Sequence, residues 1–157
     1  MKKRTLISLA IVSFIMNGCV NSLSNMDVQN KDLNKQYMPT RFYKTSTKGA
    51  DFYKSDWAGE RGNSIALNSE IIYSDILKSF KQNCGFSKDD LLETRIVSHL
   101  HPKYYEVWVF KDKLSKRDDK TSALSVVLTQ VPNGGGVDMN FYGKCHSDEP
   151  LQFIFTN

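Results

Sequence analysis

Apolar positions along this chain follow three rhythms. Near the start they form one short run; in the middle they recur every four residues; beyond residue 94 they gather into the runs and alternations that strands show. The four-residue rhythm predicts one helix, from about Asn68 to Asn83. Ile72, Ile76 and Phe80 form its apolar stripe, Tyr73 and Leu77 lie beside it, and Lys78, Lys81 and Gln82 fall elsewhere. Asn68 or Ser69 can cap its start. Glu70 sits in the first turn, where the helix dipole favours an acid, and Gly85 suits a left-handed cap after Cys84.

The strand-like part begins with Thr94–Leu100, which the turn His101-Pro102-Lys103 ends. Tyr104–Lys111 follows, rich in aromatic and β-branched residues, then a charged loop from Lys113 to Thr121 and a third strand from Ser122 to Val131. After Pro132-Asn133-Gly134-Gly135-Gly136, the stretch from Val137 to Cys145 alternates cleanly. Val137, Met139, Phe141, Gly143 and Cys145 face one way; Asp138, Asn140, Tyr142 and Lys144 face the other. Leu151–Phe155 is a short last strand. Consecutive strands with short turns imply an antiparallel meander, and the amphipathic helix is the natural cover for one face. The expected fold is α+β, one helix laid on a sheet of four to five strands, within a single globular domain over residues 51–157.

Residues 19 to about 50 show no such period. They are rich in Asn, Gln and Lys and are expected to form a flexible tether. An aromatic cluster, Phe42, Tyr43, Phe52, Tyr53 and Trp57, lies around the end of this stretch. It reads either as an early strand packed on the domain edge or as a partner-binding patch, with Phe52, Tyr53 and Trp57 as the candidate contacts.

The first run changes the picture of where the protein works. Lys2, Lys3 and Arg4 precede the apolar stretch Leu6–Met16, interrupted only by Ser8 and Ser13 and followed by Asn17-Gly18-Cys19. A basic start, a short apolar core and a small residue before a cut make residues 1–18 a secretory signal peptide. The run is about 11 residues, too short to cross a bilayer that needs about 20. Met16-Asn17-Gly18-Cys19 resembles the lipobox of bacterial lipoproteins, with Met16 where leucine is usual. The resemblance covers only these first residues. It implies that Cys19 becomes the acylated N-terminus and that the chain is held on a membrane, since several acyl chains anchor stably where one is marginal. Val20, where enteric lipoproteins retained in the inner membrane carry aspartate, points to the periplasmic side of the outer membrane of a Gram-negative cell.

Export also changes the charge. Loss of Lys2, Lys3 and Arg4 with the signal lowers the net charge from +4 to about +1, which removes the case for nucleic acid as a partner. With Cys19 committed to lipid, Cys84 and Cys145 remain as an even pair in an oxidising compartment. Both fall on core-facing positions, so they are expected to form a disulfide, the alternative being two buried free thiols.

Candidate chemistry adds little. His99 and His101 could share a face, but Pro102 breaks the strand and no third ligand is close, so no metal is expected. Gly62–Ala66 lacks the second glycine of a nucleophile elbow. Cys84 would need a free thiolate to act as a nucleophile. Asn133–Gly136 joins two strands, unlike a phosphate loop, and Lys116–Lys120 reads as a solvated run. No catalytic set and no cofactor are expected. The chain is therefore read as an envelope lipoprotein acting as a non-enzymatic binding module for a partner protein or envelope component, in an accessory, inhibitory or immunity role. A small envelope hydrolase, acting for example on peptidoglycan, is the alternative. Cys19→Ala is expected to move the protein from the membrane to the unanchored fraction, read by flotation of cell membranes; a variant that still floats in detergent-sensitive form contradicts lipid attachment at this residue.

Overall fold

Ser69 opens the long helix, its hydroxyl accepting from the backbone N–H of Ile72 at 3.4 Å. Gly85 ends it at φ +78°, a left-handed turn that a side chain would strain. In the computed structural model, which describes residues 26–47 and 50–156, this helix (α2) spans Glu70–Cys84. A shorter helix precedes it, α1 over Met26–Lys35. The described residues also form eight strands: β1 Thr40–Thr47, β2 Ala50–Trp57, β3 Glu60–Arg61, β4 Leu91–Leu100, β5 Lys103–Lys111, β6 Thr121–Gln130, β7 Val137–Tyr142 and β8 Gln152–Thr156. They form two antiparallel sheets, one ordered β3-β4-β5-β6-β7 and one ordered β1-β2-β8. The fold is α+β, as the sequence indicates, with a second helix and a second sheet.

The meander from β4 to β7 is the expected one, and α2 lies on one of its faces. Ile76 and Phe80 are fully buried there against Trp108, Phe110, Leu124 and Val126. The Phe80 ring sits 5.0 Å from Phe110 and 5.2 Å from Phe141, both edge-on, and Phe86 stacks flat on Phe110 at 4.7 Å. Val137, Met139 and Phe141 of β7 join this core, on the face their alternation assigns them. The last strand, expected beside β7, instead pairs with β2: Phe52 opposes Ile154 and Tyr53 opposes Phe153.

Residues 26–47 correct the expected tether. Instead of an extended link, they form α1 and β1. Periodicity misses them because they bury few apolar residues and are held by polar contacts. The Asn30 side chain accepts from the Phe42 N–H and donates to the Phe42 carbonyl, both at 2.8 Å, clamping α1 along the outer edge of β1. Arg41 is 8 % exposed and donates to Met38 O, Thr40 O, Asn34 Oδ1 and the Tyr105 hydroxyl. The Tyr105 hydroxyl in turn donates to Met38 O. These bonds dock the segment on the second face of the larger sheet, where Trp57, Ala58 and Tyr37 cover Tyr105, Val107, Val109 and Val127. The charged run is also corrected in part: Arg117 is buried, with its guanidinium 4.1 Å above the Trp57 ring.

β7 stops at Tyr142, short of Cys145. Gly143 turns the chain at φ +116°, where a Cβ would lie 3.2 Å from Pro39 and 3.3 Å from the Ala123 carbonyl, so only glycine fits without strain. The turn brings Cys145 to the end of α2, and Cys84 and Cys145 are bonded with their Cα atoms 5.1 Å apart. Their sequence separation is 61. Closing a loop of that size is worth about 4 kcal/mol on the chain-entropy account, a large share of the roughly 5–15 kcal/mol typical of a folded domain. Cys145→Ser is expected to lower the melting temperature by about 15 °C or more and to open Cys84 to alkylation. An unchanged melting curve would mean that packing of Ile76 and Phe80 alone holds α2 in place.

Candidate functional site

The two sheets meet at Trp57. Its backbone carbonyl accepts from Arg95 and from the Tyr43 hydroxyl, and its indole N–H donates to Thr121 at 3.2 Å. Arg117 covers the ring and pairs with Asp56 at 3.2 Å and Asp119 at 3.0 Å. Burial of the Asp119 carboxyl opposes its ionisation, but hydrogen bonds from Arg117 and Thr121 outweigh that and hold it below the ordinary carboxylate range.

Beside this junction lies a groove of about 350 Å³. Trp57 and Ala123 contribute to its base; Leu33 of α1, Phe42 of β1, Pro150 and Leu151 line it. Arg117, Lys144, Asp148 and Glu149 supply charge of both signs. An apolar interior bordered by charge is the arrangement of a recognition pocket. No protein-family model, curated protein or solved structure matches this chain.

The far wall, residues 143–151, has no regular structure, yet it is tied down at several points. Leu151 N–H donates to Ser55 Oγ at 2.9 Å, and Ser55 N–H donates to Leu151 O at 2.9 Å. Ser147 N–H donates to Ser122 Oγ, and Lys116 N–H donates to Ser147 O. Lys144 and Lys116 both pair with Asp148 and hold its carboxyl below its ordinary range. Beneath lies Asp112, 4 % exposed, whose Oδ2 accepts from Ser122 Oγ at 2.6 Å and lies 3.0 Å from His146 Nδ1. Burial alone would raise this carboxyl; the hydrogen bonds from Ser122 and His146 and the Leu114 N–H win and lower it.

The residues singled out in the sequence are scattered. Cys19 and the signal peptide lie outside the described residues. Phe52 and Tyr53 are half-buried on opposite faces of β2, and Trp57 is 4 % exposed at the junction, so the aromatic cluster is no single surface patch. Trp57 belongs to the groove; Phe52 and Tyr53 line a smaller pocket of about 220 Å³ with Thr45, Lys54 and Gln152. Cys84 is consumed in the disulfide. Ser64 is buried, and its hydroxyl accepts from the Ala66 N–H to cap a short 3-10 turn. His99 and His101 part company: His101 is exposed in the β4–β5 turn, while His99 Nε2 lies 2.8 Å from Glu106 Oε1. Glu106 is fully buried and also accepts from the Ile65 N–H at 2.7 Å and the Trp108 indole at 3.0 Å. Among the described residues no three His, Cys, Asp or Glu side chains gather as a metal site would need.

Sequence reasoning misses the groove because Leu33 lies in a stretch without apolar period that reads as a tether. The available signal was the doubly apolar β5 and β6, which needs a second cover.

The Asp112 latch makes the wall sensitive to acid. A carboxylate held below its ordinary value of 3.8 stabilises the folded state fully above that pH and loses the contribution as pH falls through the lowered value. Ser122→Ala removes one donor and is expected to flatten the fall of unfolding free energy below pH 3.8, read by urea titrations across that range; an unaltered pH slope would show that Ser122 does not hold the carboxylate ionised.

Proposed function

We propose that this chain is a lipid-anchored envelope protein that works as a non-enzymatic binding module and receives an apolar segment of a partner protein in the groove between its two sheets. The groove carries the reading. Its interior is lined by Leu33, Phe42, Trp57 and Leu151, and Leu151 is 60 % exposed at the lip. Buried aromatic and aliphatic anchors at the centre of a pocket dominate interface energetics, and a charged rim adds register. The wall at residues 143–151 is tied by Ser55, Ser122 and Lys116, so little ordering would oppose binding. The basic start, apolar run and Cys19 support the envelope location, and Val20 supports the outer membrane facing the periplasm.

A hydrolase remains the second reading, favoured by one observation. His99 beside the buried Glu106 has the form of a base with its orienting carboxylate. No hydroxyl or thiol is hydrogen-bonded to His99 among the described residues, which is why binding is preferred.

Photo-crosslinking in the native envelope separates the two. Leu151→Glu is expected to abolish the crosslinked partner band, while Ile71→Glu, on a residue 75 % exposed on α2, leaves it intact. His99→Ala should also leave it intact. Capture that survives Leu151→Glu would remove the groove from the interface, and loss of peptidoglycan-degrading activity in His99→Ala would favour the hydrolase.

A further inference from the structure

The order found in residues 26–47 has a geometric effect on anchoring. Met26, the first described residue, lies only seven residue steps from Cys19. Fully extended, seven residues reach about 25 Å. Met26 itself is 5 % exposed.

The direction in which that short link leaves is set by α1. Asn34 faces Arg41 and Asn30 faces Phe42, so α1 runs antiparallel to β1. Met26 lies one helical turn before Asn30, about 6 Å further toward the β1–β2 turn. On β1 that is about the level of Lys44, two residues beyond Phe42 at about 3.3 Å each. The incoming chain, the ends of β1 and β2 and the end of β8, where Thr156 opposes Ala50, therefore share one end of the smaller sheet. At the opposite end, where Thr40 pairs with Trp57, the smaller sheet meets the larger one through Trp57 and Arg41. Eight residues of β1 set those two ends about 25 Å apart.

This end carries side chains suited to a lipid surface. On one face Ile154 is 58 % exposed, beside Phe52, with exposed Lys54 next along. Thr45 shares that face, while Tyr43 turns its hydroxyl away to the Trp57 carbonyl. Exposed apolar side chains gain by entering the headgroup region, and lysines are drawn to anionic headgroups.

We infer that the β1–β2–β8 sheet rests its turn end on the bilayer that anchors Cys19, laying Ile154, Phe52 and Lys54 against the headgroups and holding the larger sheet and the groove away from the membrane. The inference rests on the lipid anchor of the proposed function. It commits to lipid as the occupant because the length of the link keeps this end within about 25 Å of the acyl chains at all times.

The test uses full-length lipidated protein in vesicles of phosphatidylethanolamine and phosphatidylglycerol containing brominated phosphatidylcholine, whose bromines quench nearby indoles. Tryptophan is introduced by Ile154→Trp, and the signal of Trp57 and Trp108 in the parent is subtracted. Ile71→Trp on the exposed face of α2 serves as the distant reference. Quenching is expected to be several-fold stronger for Ile154→Trp than for Ile71→Trp. Phe52→Trp, a conservative exchange, repeats the measurement should Ile154→Trp misfold. Equal quenching at both ends, or stronger quenching at residue 71, overturns the orientation. A blue-shifted but unquenched signal at residue 154 means that protein, a second copy or another chain, covers the face, and also overturns it. Flotation of the parent is measured in the same samples: failure to float overturns the anchor and the orientation together, whereas flotation with the wrong quenching pattern overturns the orientation alone.

Discussion

Two inner strands of the larger sheet, β5 and β6, carry apolar side chains on both faces, and much of the fold is arranged to cover them. Trp108, Phe110, Leu124 and Val126 point one way; Tyr105, Val107, Val109 and Val127 point the other. Each such side chain left in water would forfeit about 1.5–3 kcal/mol, so two covers are required. The first, α2, is amphipathic and fastened at its end by the disulfide. The second is assembled from the turn after α1 and the end of β2, and supplies Tyr37, Trp57 and Ala58.

The two covers are held by different physics. α2 has a conventional apolar stripe, and its position follows from shape and burial. The N-terminal cover is polar in composition and relies on directed hydrogen bonds. Arg41 and the Tyr105 hydroxyl tie the turn before β1 to the sheet face, and Arg117 bridges from the charged loop over Trp57 to Asp56. A buried arginine with four acceptors loses little on leaving water, whereas the same side chain without them would be costly there. The groove lies beside Trp57, where this second cover leaves a gap between Leu33, Phe42 and the tied wall at residues 143–151.

The legible part of the sequence was the part governed by periodicity. The stripe Ile72-Ile76-Phe80 located α2 to within two residues at its start, and the alternation of Val137, Met139 and Phe141 placed β7 with the right face inward. Cys84 continues the stripe of α2 as its spacing indicates, whereas its partner Cys145 lies past the end of β7 and reaches α2 through the turn at Gly143. Residues 26–47 escaped because Asn30, Asn34 and Arg41 act through single directed bonds that leave no repeat in the sequence. Arg117 escaped for a related reason, since a run of alternating charges gives no sign of which member turns inward. The second sheet could have been suspected from β5 and β6, whose apolar residues occupy consecutive positions where a strand covered on one face would alternate. The apolar strands point to a second cover, but not to the gap beside it, since the groove lies between elements that no local pattern connects.

The clamp made by Asn30 on Phe42 reaches beyond the joining of a helix to a strand. A free strand edge offers unpaired N–H and C=O groups to any extended chain it meets, a second copy included. By occupying both backbone groups of Phe42 with one amide side chain and laying α1 along that border, the fold withdraws β1 as a template. A second copy then finds Phe42 already paired on that side, and the polar helix serves as a guard against sheet-to-sheet aggregation.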